Sequence, residues 1–114
     1  MGNIKYGDKI FIIVRSDLPS NGNILAQAVH AGIDFVMSHQ ELAQNWRANS
    51  DHLAILQIEN EEKLKELLQK AKDKNIEHSA FYESDMNNEL TAIALGPSNK
   101  TRKLCYHLKL ALSC

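Results

Sequence analysis

Cysteine is scarce in this 114-residue chain, and so are charge of one sign and long apolar runs. The two cysteines, Cys105 and Cys114, form no Cys-x-x-Cys pair, and no histidine lies at zinc-finger spacing. That pattern argues against a disulfide scaffold. Both cysteines read as reduced thiols of a cytoplasm-like compartment. No stretch approaches the roughly 18 apolar residues of a membrane-spanning helix. Met1 to Lys9 lacks an apolar core followed by small residues, so secretion is not expected. The Met-Gly start departs from the myristoylation pattern, because Tyr6 stands where Ser or Thr is wanted. A formal net charge of -1 excludes holding nucleic acid by bulk electrostatics.

What is present is the balance of a soluble globular protein, with 44% hydrophobic and 24% charged residues. The length suits one domain, able to bury roughly two-thirds of its unfolded surface without a disulfide or metal staple. No repeat, low-complexity tract or linker divides it. Charge is uneven along the chain. Residues 98–114 carry Lys100, Arg102, Lys103 and Lys109 and no acid, whereas 59–89 carry nine acids against five lysines. The basic tail can contact phosphates or simply be solvated.

Lys9 to Arg15 is a β-branched apolar run, which predicts a strand buried on both faces. Leu18 to Gly22 is turn chemistry, and a helix is expected from about Asn23 to His39, with a second piece over Gln40 to Arg47. Leu53 to Ile58 predicts a second strand. Asn60 caps an amphipathic helix over Glu61 to Lys74, whose Leu64, Leu67, Leu68 and Ala71 recur at helical spacing. Acids in its first turn and lysines in its last complement the helix dipole. Strands follow at Ser79 to Tyr82 and Thr91 to Leu95, with a polar loop over Glu83 to Leu90 and a final helix over about Asn99 to Leu112. The order predicts an α/β sandwich with a mostly parallel core.

The first helix carries the chemistry. At 100° per residue, Asn23, Gln27, His30 and Asp34 share a sector roughly 60° wide. Leu25, Ala28, Val29, Gly32, Phe35 and Val36 lie opposite and are expected to pack on the sheet, leaving the polar stripe toward solvent or a cleft. Gly22 and Asn23 begin this helix just past the C-terminal end of the first strand, where open α/β sheets hold ligands. Free N–H groups there suit a phosphate or an oxyanion. His30 is the group that can move a proton near neutral pH, although most such histidines are merely solvated. The remaining histidines share no ligand spacing with it, so no metal site is expected, and no cofactor. Gly-x-Ser-x-Gly, P-loop and Gly-x-Gly-x-x-Gly motifs are absent.

Lys9 to Arg15 with Ser16-Asp17-Leu18, then Gly22-Asn23, then Ala26-Gln27-Ala28-Val29-His30-Ala31, resembles the type II peptidyl-tRNA hydrolases. That family reads apolar strand, Arg-x-Asp-Leu, Gly-Lys, then Ala-Ala-Gln-x-x-His-Ala. Glu61 to Lys74, Thr91 to Pro97 and His107 to Leu110 match further segments in order. The resemblance implies a three-layer α/β/α sandwich with a mixed four-stranded sheet. It also implies hydrolysis of the ester joining a peptide to the tRNA 3′ end, and a tendency to dimerise, for which the second helical piece with Trp46 offers an apolar patch. Gln27, His30, Asp17 and Thr91 stand at the family's site positions, and Glu83 best matches its loop aspartate. His30 or Glu83 would then serve as general base, Gln27 or Asn23 would stabilise the oxyanion, and Thr91 would orient water or ribose.

Two departures stand out. Asn23 replaces the family's lysine, and the segment from Glu83 to Thr91 is about four residues shorter than the family pattern, as in the divergent peptidyl-tRNA hydrolase domain-containing branch. The alternative these departures raise is a relative that binds tRNA or a protein partner without turnover. A weaker third reading is an esterase for another acyl substrate.

Overall fold

A computed structural model describes Ile4, Lys5 and residues 7–114; the reading of Met1, Gly2 and Tyr6 lies outside the described residues. Its elements are β1 (Lys9–Arg15), α1 (Asn21–Ser38), α2 (Gln40–Asn49), β2 (His52–Ile58), α3 (Glu61–Asp73), β3 (His78–Glu83), a single 3-10 turn (Ser84–Met86), β4 (Glu89–Leu95) and α4 (Asn99–Cys105). The strands form a mixed sheet in the order β2-β1-β4-β3. Pairing is parallel between β1 and β2 and antiparallel for β1 with β4 and β3 with β4. The expected mostly parallel core is therefore corrected. The short β3–β4 connection is a hairpin turn, too short for a crossover, so it forces antiparallel pairing. Asn87 and Asn88 take left-handed backbone there, which the amide side chain tolerates.

Each face of the sheet buries its own cluster. Ile10, Ile12, Val14, Ala92 and Ala94 pack under Ile24, Ala28, Ala31 and Phe35 of α1 and Leu42 of α2. Phe11, Ile13, Leu90, Ile93 and Leu95 pack under Leu64, Leu67, Leu68 and Ala71 of α3 and Cys105 of α4. Alternation along each strand sends successive residues to opposite layers, which gives the α/β/α sandwich. Gly32 lets α1 approach β1 closely, since a Cβ there would stand 3.1 Å from Ile12 Cδ1. Asn60 caps α3 by accepting the Lys63 N–H at 2.9 Å. At the other end, left-handed Asn75 lets Ile76 N–H bond the Ala71 carbonyl at 3.0 Å, closing the helix.

Two expectations need correction. The last helix stops at Cys105, not near Leu112. Beyond it Gln57 N–H bonds the Lys109 carbonyl and Ala111 N–H bonds the Ile55 carbonyl, both at 2.9 Å, so the tail lies along the edge of β2. An unpaired strand edge competes with helix propagation for the tail's backbone groups, and the edge wins. The second correction concerns α1. Its buried residues are Ile24, Gln27, Ala28, Ala31 and Phe35, while Leu25, Val29 and Val36 are exposed together with Ile33 and Met37. The helix is turned by roughly 80° from the orientation its apolar residues predict. The site explains why.

Candidate active site

Ser20 caps α1, its hydroxyl accepting the Asn23 N–H at 3.1 Å, and so sets the helix start just after β1. Gly22 is exposed and Asn23 is half-buried in this first turn. A side chain at Gly22 would meet only Ser20 Oγ at 3.7 Å, so space alone does not demand glycine there.

One turn on, Gln27 is only 3% exposed. A buried amide without partners costs about 1–3 kcal/mol. Here both ends are occupied. Nε2 donates to Glu83 Oε1 at 2.9 Å and Oε1 accepts from the Thr91 hydroxyl at 2.8 Å. A carboxylate can only accept, so the amide nitrogen must face Glu83 and the oxygen must face Thr91. The direction of every bond in the chain Thr91–Gln27–Glu83 is thereby set. These partners lie under the sheet side of α1, which is why the helix turns Gln27 inward and leaves Leu25 and Val29 outside.

Thr91 reaches Gln27 because of a defect in the sheet. Phe81 pairs with Ala92 and Tyr82 pairs with Leu90, so Thr91 is one extra residue in β4. Leu90, Ile93 and Leu95 pack on the α3 side, and Ala92 and Ala94 on the α1 side. Regular alternation would put Thr91 with Ile93 and Leu95. The bulge turns it toward α1 instead.

Glu83 ends β3 and is half-buried. Two residues earlier on the same strand, the Phe81 ring stacks on His30, with centroids 4.4 Å apart and planes 4° apart. Gln27 and His30 of α1 thus face Glu83 and Phe81 of β3. His30 itself stays exposed. Asp34, further along α1, is half-buried, and its carbonyl accepts the Ser38 hydroxyl at 2.7 Å.

Asp17 has a different setting. Its two oxygens meet the Arg15 guanidinium, at 2.8 Å from Nε and 3.0 Å from Nη2. Arg15 Nη1 also donates to Glu89 Oε1 at 2.7 Å and to the Leu90 carbonyl at 3.2 Å. Asp17 foremost, then Glu89, holds the guanidinium above its ordinary range against the opposing effect of burial. From the other face, Glu61 Oε2 accepts the Leu90 N–H at 2.8 Å, and that bond first, with help from Lys65, holds its carboxyl below the usual range.

The sequence alone gave Arg15, Glu61, Glu89 and Phe81 no place in the site. Arg15 had a visible signal, a cation closing an otherwise apolar strand. Glu61 had none, since its partner lies 29 positions away. The remaining histidines stand apart: His39 faces Glu77 at 3.2 Å and His78 Nδ1 meets the Ile76 carbonyl at 2.8 Å. Among the described residues no group of three or more His, Cys, Asp or Glu could hold a metal ion. No helix among them is long and apolar enough to cross a membrane. Trp46 packs against the α1-side core and donates to the His52 carbonyl at 2.7 Å, so it serves as a core wedge.

A sequence profile for the family described as peptidyl-tRNA hydrolase PTH2 matches residues 9–111. The chain belongs to that family. The match runs from the first residue of β1 to the segment along β2, and so includes every site residue described above. A search of curated proteins found no match. In this PTH2 chain the basic helix α4 follows the C-terminal end of β4, which is antiparallel to β1. It therefore starts at the end of the sheet opposite Glu83 and Thr91.

Proposed function

We propose that this PTH2 chain hydrolyses the ester between a peptide and the tRNA 3′ end in the cytoplasm, with Glu83 as general base. The observation that carries the reading is the Thr91–Gln27–Glu83 chain, in which a buried amide takes one oxygen of a half-buried carboxylate. The other oxygen is left for a water molecule. Glu83 takes a proton from that water as its oxygen attacks the ester carbonyl. The oxyanion forms near the start of α1, where the Asn23 amide and first-turn N–H groups can stabilise it. Collapse expels the ribose 3′ oxygen, which takes that proton back from Glu83, releasing tRNA and a peptide carboxylic acid that gives up its own proton to solvent. Gln27 and Thr91 orient Glu83 without touching substrate. Asp17, paired with Arg15, shapes the rim.

A second reading is favoured by one substitution. Asn23 supplies no charge where the family has lysine, and a charged hydrogen bond is roughly twice as strong as a neutral one. On this reading the site holds the tRNA 3′ end without turnover. The self-association implied by the family likeness is assigned to the outer face of α1, where Leu25, Val29, Ile33 and Met37 form a row four residues apart.

The test is release of N-acetyl-aminoacyl groups from tRNA by purified protein. Glu83→Gln is expected to lower kcat by about 100-fold or more. Equal rates in the two proteins would overturn Glu83 as base. No release by the natural chain, but release by Asn23→Lys, would establish the binding reading.

A further inference from the structure

We propose that Glu61 of α3 and Arg15 of β1 are positioning residues, which hold the bulge in β4 so that Thr91 faces Gln27. The inference rests on the reading of Glu83 as the reactive group.

Its geometry is independent of that reading. Pairing of β1 with β4 extends no further than Val14 with Ala92. Leu90 is fully buried, so its peptide groups cannot turn to water. Side chains stand in for the missing strand: Glu61 takes the Leu90 N–H and Arg15 the Leu90 carbonyl. The Leu90 carbonyl and the Thr91 nitrogen belong to one planar peptide. Fixing the first therefore fixes the start of Thr91. Glu61 fixes the peptide before it. Arg15 is itself braced by Asp17 and Glu89, so its donor is held in place.

The consequence is a line of bonds from one helical layer to the other, running Glu61, Leu90, Thr91, Gln27, Glu83. Without the two side chains the cheaper arrangement is regular alternation, because side-chain direction in a strand reverses with a one-residue slip. Thr91 would then rotate to the α3 side, Gln27 would lose its donor, and Glu83 would lose its fixed partner.

The experiment compares Glu61→Ala and Glu61→Gln in the full chain. Gln retains an oxygen that can accept the Leu90 N–H; Ala retains nothing. By nitrogen-15 NMR, Glu61→Ala is expected to shift the Thr91 amide and the Gln27 side-chain amide signals and to cut exchange protection at Leu90 by about tenfold. Glu61→Gln keeps all three near the natural values. Against N-acetyl-aminoacyl-tRNA, Glu61→Ala lowers kcat by about tenfold with KM within about twofold, and Gln restores it. Should the alanine variant fail to fold, Arg15→Lys, which keeps the charge and loses the fork, is expected to give the same signal shifts. Unmoved Gln27 and Thr91 signals in either folded variant, or Gln behaving as Ala does, would overturn the proposal. A natural chain without turnover would overturn the proposed function instead, and the NMR comparison would still decide the positioning role.

Discussion

The two long helices that flank the sheet obey opposite rules. In α3 the apolar row Leu64, Leu67, Leu68 and Ala71 is buried and the charged side faces water. In α1 a glutamine is buried at 3% exposure while Leu25, Val29, Ile33, Val36 and Met37 are each more than 40% exposed. The difference lies in what each helix meets. α3 lays its leucines over Phe11, Ile13 and Ile93, and its polar contact with the sheet, Glu61 on the Leu90 N–H, comes from the first turn and leaves that row buried. α1 covers a bulge that offers a hydroxyl and a neighbouring strand end that offers a carboxylate. Two hydrogen bonds for Gln27 then compete with burial of one more aliphatic side chain, worth about 1.5–3 kcal/mol. The helix that builds the site is the one that gives up its amphipathic orientation.

If that contrast is right, truncation should hurt one helix and not the other. Leu64→Ala empties a fully buried position on α3 and is expected to cost about 3 kcal/mol in urea unfolding. Ile33→Lys on the outer face of α1 should change monomer stability by less than about 0.5 kcal/mol and convert any sedimenting dimer to monomer. A large loss of stability in Ile33→Lys would mean that α1 packs its apolar side inward after all.

The buried amide can be tested next. Gln27→Leu leaves the Thr91 hydroxyl only the Phe81 carbonyl, at 3.4 Å, removes a partner from Glu83, and is expected to cost about 2 kcal/mol. Thr91→Val alone should cost about 1 kcal/mol. Combined, they should cost less than the sum, because an apolar pair replaces a broken bond. Strict additivity would show that Gln27 and Thr91 are not coupled.

Much of this architecture was legible in the chain. The β-branched run at Lys9 to Arg15, the Asn60 cap and the leucine spacing of α3 each carry a local physical signal that the folded protein keeps. Bringing Gln27, Glu83 and Thr91 together was legible only through the family likeness, since no local rule relates residues 56 and 64 positions apart. The bulge at Thr91 left no mark in a sequence of ordinary strand residues. Nor did the end of α4, because Tyr106 to Leu112 would make an adequate helix were the edge of β2 not waiting for it. Both of these misses belong to long-range hydrogen bonds that outweigh a local preference.

Acid offers the mildest way to probe the same junction. Glu61 sits below the usual carboxylate range chiefly because it accepts the Leu90 N–H. A carboxyl lowered on folding contributes stability that is fully present above its unfolded value of about 4.3 and is lost as pH falls through the folded value. Between pH 7 and pH 5 the urea midpoints of the natural chain and of Glu61→Ala should therefore stay a constant distance apart. As pH falls below that unfolded value the unfolded chain takes up the proton first, and the charge-assisted part of the Leu90 bond ceases to favour the folded state, so the gap should narrow. A gap that stays constant down to pH 3 would mean that the carboxylate charge adds nothing to the hold on Leu90, and that a neutral acceptor at position 61 serves as well.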